Sequence, residues 1–242
     1  MRLTADYHTH TSDGGSHAKG GILANAEAAR NAGLVEVAVT NHGYNHGIYA
    51  VKRSDYDRMR AEADAAQRAT GVRVLLGIEA NIVSTDGDLD LTDGDRERLD
   101  IILAGYHRIV KPQKRGMFPV HAGNLIRGLF KSAYYGASEQ KKFVVRNTDI
   151  ALKAIYGGGA DVFVHPNSRF RVDIVAVARA CAQTDTYFEL NRKGLALTAK
   201  QLDAAAKTGV RFVIGSDAHD PADVGRADNV FELIKDLDVA AL

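Results

Sequence analysis

Asp6-Tyr7-His8-Thr9-His10 closes the first apolar segment of the chain, and its reading decides the fold. On an extended backbone successive side chains alternate between faces, so His8 and His10 point the same way. Neutral imidazole is a common ligand of divalent transition metals. A lone His-x-His carries little weight, because loops and ordinary surfaces produce it by chance. Its weight here comes from the rest of the chain. Every later apolar strand candidate also ends in His, Glu or Asp, or reaches one within a residue or two.

Outward from that stretch, residues 3–8 read as a first strand and residues 35–40 as a second, ending at Asn41-His42-Gly43. Residues 72–78 form a third that ends at Glu79, and residues 99–104 a fourth that runs through Gly105-Tyr106 to His107. Strands five to seven lie at 161–164, 187–191 and 210–214; His165-Pro166-Asn167 follows the fifth and Gly215-Ser216-Asp217-Ala218-His219 the seventh. Between them, residues 18–31, 55–69, 139–156, 172–181, 198–207 and 224–237 read as helices, with Ser54 placed as an N-cap and Gly33 and Gly71 as stops. This alternation, with no Pro- or Ser-rich linker, predicts one parallel α/β domain over residues 1–242. An open doubly wound sheet would need a glycine-rich first turn, which is missing. In a barrel, chemistry collects at the carboxyl ends of the strands, where several strands each contribute a group.

Two stretches break the rhythm. Asp86-Gly87 is the dipeptide of a tight hairpin between short arms in residues 80–91. Asp86, Asp88, Asp90 and Glu97 also fall at calcium-loop spacing, but Leu91 stands where that loop needs glycine, so calcium is rejected. Residues 108–138 form an irregular insertion, and residues 108–142 carry eight basic residues against one acid, Glu139, which predicts a basic lid. Over the whole chain the charge is balanced, 31 basic residues against 30 acidic, so no global field favours nucleic acid or a membrane. No apolar run approaches the roughly 18 residues of a membrane span. Cys181 is the only cysteine and no apolar stretch of a signal peptide follows Arg2, so a cytoplasmic location is expected.

Strand ends alone offer His8, His10, His42, Glu79, His107, His165, Glu189, Asp217 and His219. Each has an ordinary reading by itself: a loop histidine, a salt-bridged glutamate, a helix cap. Of nine histidines, however, only His17, His46 and His121 lie away from the immediate strand ends, and those lie in loops. Jointly the pattern points to metal.

The order His8-x-His10, His42, Gly77-Ile78-Glu79-Ala80-Asn81, Ala104-Gly105-Tyr106-His107, His165-Pro166-Asn167 and Ser216-Asp217-Ala218-His219 resembles the PHP family, named for polymerase and histidinol phosphatase. Its small single-domain phosphatases are the most similar type. The resemblance covers nearly the whole chain and implies a distorted TIM-like (β/α)7 barrel, a metal-dependent phosphoesterase, and three divalent ions, zinc, manganese or iron. It implies that His8, His10, Glu79 and Asp217 hold one ion, and that Glu79 bridges to a second on His107 and His165. The third is implied on His17, His42 and His219, with Asp13 competing for the place of His17. Asn41 stands where many members carry Asp before the histidine.

Clustered divalent ions acidify a water for attack on phosphorus and neutralise phosphoryl charge. Glu79, Asp217 and His219 are the expected catalytic residues; no nucleophilic serine or cysteine is needed, since Cys181 falls within a helix and no Gly-x-Ser-x-Gly turn occurs. Arg192, after strand six, is the first expected contact for substrate phosphate, with Arg169 after strand five and His121 in the insertion as further ones. The expected partner is a small phosphorylated substrate. The alternative is a phosphodiesterase or exonuclease acting on nucleotide or nucleic-acid ends; the sparse aromatic residues of the insertion rank it second.

Overall fold

Seven parallel strands follow one another around the molecule in chain order. They are β1 (Ala5–Thr9), β2 (Glu36–Val39), β3 (Arg73–Asn81), β4 (Ile101–Gly105), β5 (Val162–Phe163), β6 (Tyr187–Asn191) and β7 (Phe212–Gly215). The computed structural model describes residues 3–14, 17–111, 117–120, 122–123, 137–168 and 170–235. Within them run α1 (Ile22–Ala32), α2 (Tyr56–Thr70), the single turn α3 (Asp93–Arg96), α4 (Ala137–Tyr156), α5 (Ile174–Thr184), α6 (Ala199–Ala206) and α7 (Asp228–Ile234). Parallel neighbours require crossovers, and helices supply them. A parallel bridge between Thr9 and Ala218 brings the end of the sheet back to its beginning. The His10 N–H donates to the Ala218 carbonyl at 2.8 Å. Asp6 ties the same seam, accepting from the backbone N–H groups of Ser216 at 3.1 Å and Gly225 at 2.9 Å. The result is a distorted TIM-like (β/α)7 barrel.

Strand alternation divides the apolar residues into two sets. Val37, Val39, Leu76, Ile78, Phe188 and Leu190 face the helices, where Ile22, Met59, Val177 and Leu202 meet them. Ala38, Leu75, Ile101, Leu103, Val162 and Val164 form a separate cluster with Tyr7 and Tyr187 packed on it, filling the barrel itself. Burial on both faces is what a parallel sheet demands.

Several local details differ from the sequence reading, each for a visible reason. β1 carries a bulge: Asp6 pairs with Val37 but Thr9 with Val39, so one extra residue sits on β1. Helix α1 begins at Ile22, because the chain before it is bound elsewhere. The Lys19 N–H donates to the His219 carbonyl and the Ser12 N–H to the Gly20 carbonyl. Ser54 does not cap α2; a 3₁₀ turn, Arg53–Asp55, precedes it. The last helix starts at Asp228 because Gly225 is held by Asp6. Residues 117–120 of the insertion are helical rather than irregular, and Met117 and Val120 are buried in the main core. Most of the expected basic lid lies outside the described residues. The hairpin forms as expected, with Ile82 bridged to Leu89. Asp90 is consumed there, accepting from the Asn81 and Asn45 backbone N–H groups at 2.8 and 2.7 Å.

Candidate metal centre

Each strand of the barrel delivers its polar residue to the same end. β1 brings His8, with His10 one residue past its end, the segment after β2 brings His42, and β3 carries Glu79 two residues before its last, Asn81. The loops after β4, β5 and β7 bring His107, His165, and Asp217 with His219. Glu79 is the centre of the arrangement and is 1% exposed. Its Oε1 lies 2.7 Å from His165 Nε2, 2.8 Å from His107 Nε2 and 3.3 Å from His8 Nε2. Its Oε2 lies 2.7 Å from His42 Nδ1 and 3.7 Å from His10 Nε2. Asp217 Oδ1 is 3.3 Å from His10 Nε2 and 3.9 Å from His8 Nε2.

Among the described residues, three overlapping groups have ligand atoms within 4.8 Å of one another: His8 with His10 and Asp217, His10 with His42 and His219, and His42 with Glu79 and His107. Many of these buried atoms lie close to one another yet make no hydrogen bond of proper geometry: Nε2 of His8 and His10, Nδ1 of His42, both ring nitrogens of His107, and Oε2 of Glu79. Buried polar atoms are ordinarily paired, so a cluster of orphans aimed at common points is the signature of a cation site. The donor set, imidazole with carboxylate, is suited to zinc, iron and manganese. These residues fit a metal.

The charges agree with that reading. Burial opposes ionisation of Glu79, but the imidazoles of His107, His8 and His42 outweigh it and hold its carboxyl well below the usual range. Asp217 is likewise lowered, with His8 and His10 overcoming burial. For His8, burial is overcome by Glu189, Glu79 and Asp217, and its pKa rises well above that of free imidazole; His165 is raised by Glu79 against burial. The rings of His10, His107 and His17 move the other way. Burial, then the neighbouring imidazole of His42, pushes His10 well down, and burial takes His107 and His17 to about 4. Few carboxylates among many imidazoles leave most rings neutral, with lone pairs free for ligation.

His17 is carried in by the chain before α1. Its ring stacks on Tyr49 at 3.9 Å and meets His219 edge-on at 4.1 Å. The competing Asp13 is engaged elsewhere, accepting from Arg58 Nη2 at 2.7 Å and Thr11 Oγ1 at 2.9 Å. Asn41 serves the loop after β1: its Oδ1 accepts from the Thr11 N–H at 2.8 Å and its Nδ2 donates to Thr11 Oγ1 at 2.9 Å.

A cavity of about 310 Å³ opens above Glu79, and His17, His42, His107, His165, Asp217 and His219 line it. Arg192 does not; its guanidinium faces Asp223 at 3.2 Å. Lys193 lines the cavity instead, its Nζ 2.7 Å from His219 Nδ1, together with Arg108. Glu189 and Asn191 share one face of β6, and Lys193 lies in the turn two residues past the strand's end, a position beside the site that the sequence itself displays. Arg169 and His121 lie outside the described residues. His46, an ordinary loop residue by sequence, is buried in the cavity wall and stacks on His42 at 4.4 Å. It lies at no strand end, so nothing local marked it.

The profile of the family described as PHP-associated matches residues 199–241. A probable phosphatase of Acetivibrio thermocellus is 30% identical over 252 residues, covering 99% of this chain and 89% of that protein. One of Shewanella oneidensis is 29% identical, covering 98% and 85%. Among solved structures, histidinol phosphate phosphatase of Lactococcus lactis, complexed with zinc, L-histidinol and phosphate, superposes with a TM-score of 0.62. It shares 15% identity and covers 96% of this chain and 91% of its own. Similarity along nearly the full length, on a barrel whose polar end is built for cations, places the chain in the PHP family as a metal-dependent phosphatase.

Proposed function

We propose that the substrate is a small-molecule phosphomonoester and that three divalent ions serve its hydrolysis. The observation that carries this reading is the position of Glu79. One buried carboxylate is ringed by imidazoles on both oxygens, His8, His107 and His165 about one and His42 and His10 about the other, so it could serve more than one ligand set. His8, His10, Glu79 and Asp217 would hold the first ion, Glu79, His107 and His165 the second, and His17, His42 and His219 the third. The occupied oxygens of Asp13 favour His17 for that last set. The zinc in the Lactococcus histidinol phosphate phosphatase supports zinc as one of the ions. Divalent ions on such a donor set supply Lewis acidity, acidifying a water near neutral pH and neutralising phosphoryl charge.

The chain's own residues do the rest. Glu79 and Asp217 would supply the negative charge of the ligand sets. His219 is oriented by the Asp217 carbonyl, 2.8 Å from its Nδ1. Lys193 and Arg108 place positive charge at the cavity mouth for phosphoryl oxygens. His46 Nδ1 accepts from the Tyr49 N–H at 3.0 Å, so its ring proton sits on Nε2 as a donor. Tyr49 and Ile109 border the same space and give an organic leaving group an aromatic and aliphatic wall. A volume of about 310 Å³ suits a small metabolite. A polynucleotide would need a long basic track, and the net charge of +1 argues against one.

Turnover of an aryl phosphate monoester, a diester and short single-stranded DNA should be compared before and after exhaustive chelation. Phosphate release from the monoester that disappears with the metal and returns with zinc or manganese is expected. Undiminished turnover by the chelated protein, or faster cleavage of diester or DNA, would contradict the proposal.

A further inference from the structure

Glu189 is a strand-end carboxylate that none of the three ligand sets uses, and it is 1% exposed. Three donors converge on it. Its Oε1 accepts from His8 Nδ1 at 2.7 Å. Its Oε2 accepts from the backbone N–H of His165 at 2.7 Å and from Asn191 Nδ2 at 3.1 Å. His165 sits in the left-handed region, with φ of 34°, a costly conformation for a residue with a side chain. Its anchored N–H helps to hold the turn that sets Nε2 against Glu79. Space for the pair is provided by Gly215, where a Cβ would lie 2.1 Å from Glu189 Oε1 and 2.8 Å from His8 Cβ.

We propose that Glu189 is a positioning residue that aligns two ligands of different ions at once: it fixes the ring of His8 on β1 and the turn carrying His165 after β5. The inference rests on the metal reading above and extends it. With Nδ1–H of His8 donated to Glu189, Nε2 is left as the ligating atom, facing Glu79 and Asp217. A carboxylate behind an imidazole also raises its basicity as a ligand. Only a carboxylate serves, because all three partners are donors. Glutamine has one acceptor oxygen, and its amide would turn N–H against N–H at Oε1 or Oε2. The consequence is coupling: the first and second ions gain and lose affinity together, through a residue that touches neither.

The test uses the zinc-loaded wild-type protein and its Glu189→Gln variant, with zinc content measured after dialysis and stepwise affinity measured by competition with a chromogenic chelator. Wild type is expected to retain its ions, and the variant to bind two of them about tenfold to a hundredfold more weakly, both steps shifting together. Unchanged affinities in a folded variant would overturn the proposal, as would weakening of one step alone. Should the variant fail to fold, long-range ¹H–¹⁵N spectra of the histidine rings in the wild-type protein decide the matter. His8 protonated at Nδ1 supports the proposal, and His8 protonated at Nε2 overturns it. Wild type that takes up no divalent ion overturns the metal reading and the coupling with it, while the His8 tautomer, read at a pH high enough to leave the ring neutral, still reports whether Glu189 orients it.

Discussion

Along β3, β6 and β7 the side chains inside the barrel change character within four residues. Leu75, Tyr187 and Val213 line an apolar cavity of about 500 Å³ at the amino ends of the strands. Glu79 and Asp217 line the polar one at the carboxyl ends, and Glu189 stands beside it on His8. The lower layer is satisfied by dispersion among its hydrocarbon side chains, and any hydrocarbon of suitable volume would serve. The upper layer is not self-sufficient: its buried ring nitrogens and carboxylate oxygen lack partners, and their burial is a cost that the fold itself does not offset. Substitutions in the lower layer should therefore move stability, and substitutions in the upper layer should move activity and metal affinity.

The largest break expected from this contrast is Glu79→Gln. It removes the charge that faces five imidazoles, and phosphatase activity should fall by on the order of 10³-fold, because metal-centred charge stabilisation is worth several kcal/mol and each 1.4 kcal/mol is a factor of ten. The far-ultraviolet circular dichroism should remain that of the wild type. A variant that keeps a tenth of the activity would remove Glu79 from the centre of the site.

In the lower layer, Leu75→Ala should cost about 2 kcal/mol in chemical denaturation, the low end for such truncations, since the side chain already borders a void and has fewer contacts to lose. Turnover per folded molecule should stay within a few-fold of the wild type. Loss of activity out of proportion to stability would show that the layers are not separable.

Protons sharpen the same comparison. Burial works against the charge on His8 and His165, but their carboxylate neighbours prevail and raise both pKa values. In the metal-free protein these pairs stabilise the fold fully below the ordinary imidazole pKa of about 6.5, and that stability is lost as pH rises through the raised values. Ion uptake needs both rings neutral, so affinity should climb about tenfold per pH unit for each proton displaced. Calorimetry in buffers of different ionisation enthalpy would detect the released protons. An affinity flat from about pH 6 to 8 would contradict the assignment of these two ligands.

The smallest effect expected is at the mouth. Lys193→Ala should raise KM about threefold to tenfold with kcat little changed, because an exposed ammonium is screened by solvent. The same substitution at Arg192, held by Asp223, should do less. A reversed order would restore Arg192 as the phosphate contact.

What could be read from the chain alone was periodic and local. Alternation within each strand, glycine stops after α1 and α2, and a metal-binding type of residue at strand after strand are encoded over a few neighbouring positions. They sufficed for the barrel and for the residues gathered about Glu79. The tertiary structure decided the rest. The bulge on β1 lets Tyr7 face the apolar layer while His8 and His10 reach the polar one, and one inserted residue leaves no mark in composition. Strapping of residue 19 to the His219 carbonyl brought His17 beside that ring, and ring stacking recruited His46. Glu189 meets His8 across 181 positions of sequence, a contact that exists only because the sheet closes on itself. Residue type and spacing are set by neighbours along the chain, whereas partners across a closed barrel are set by register and packing, which no short stretch contains.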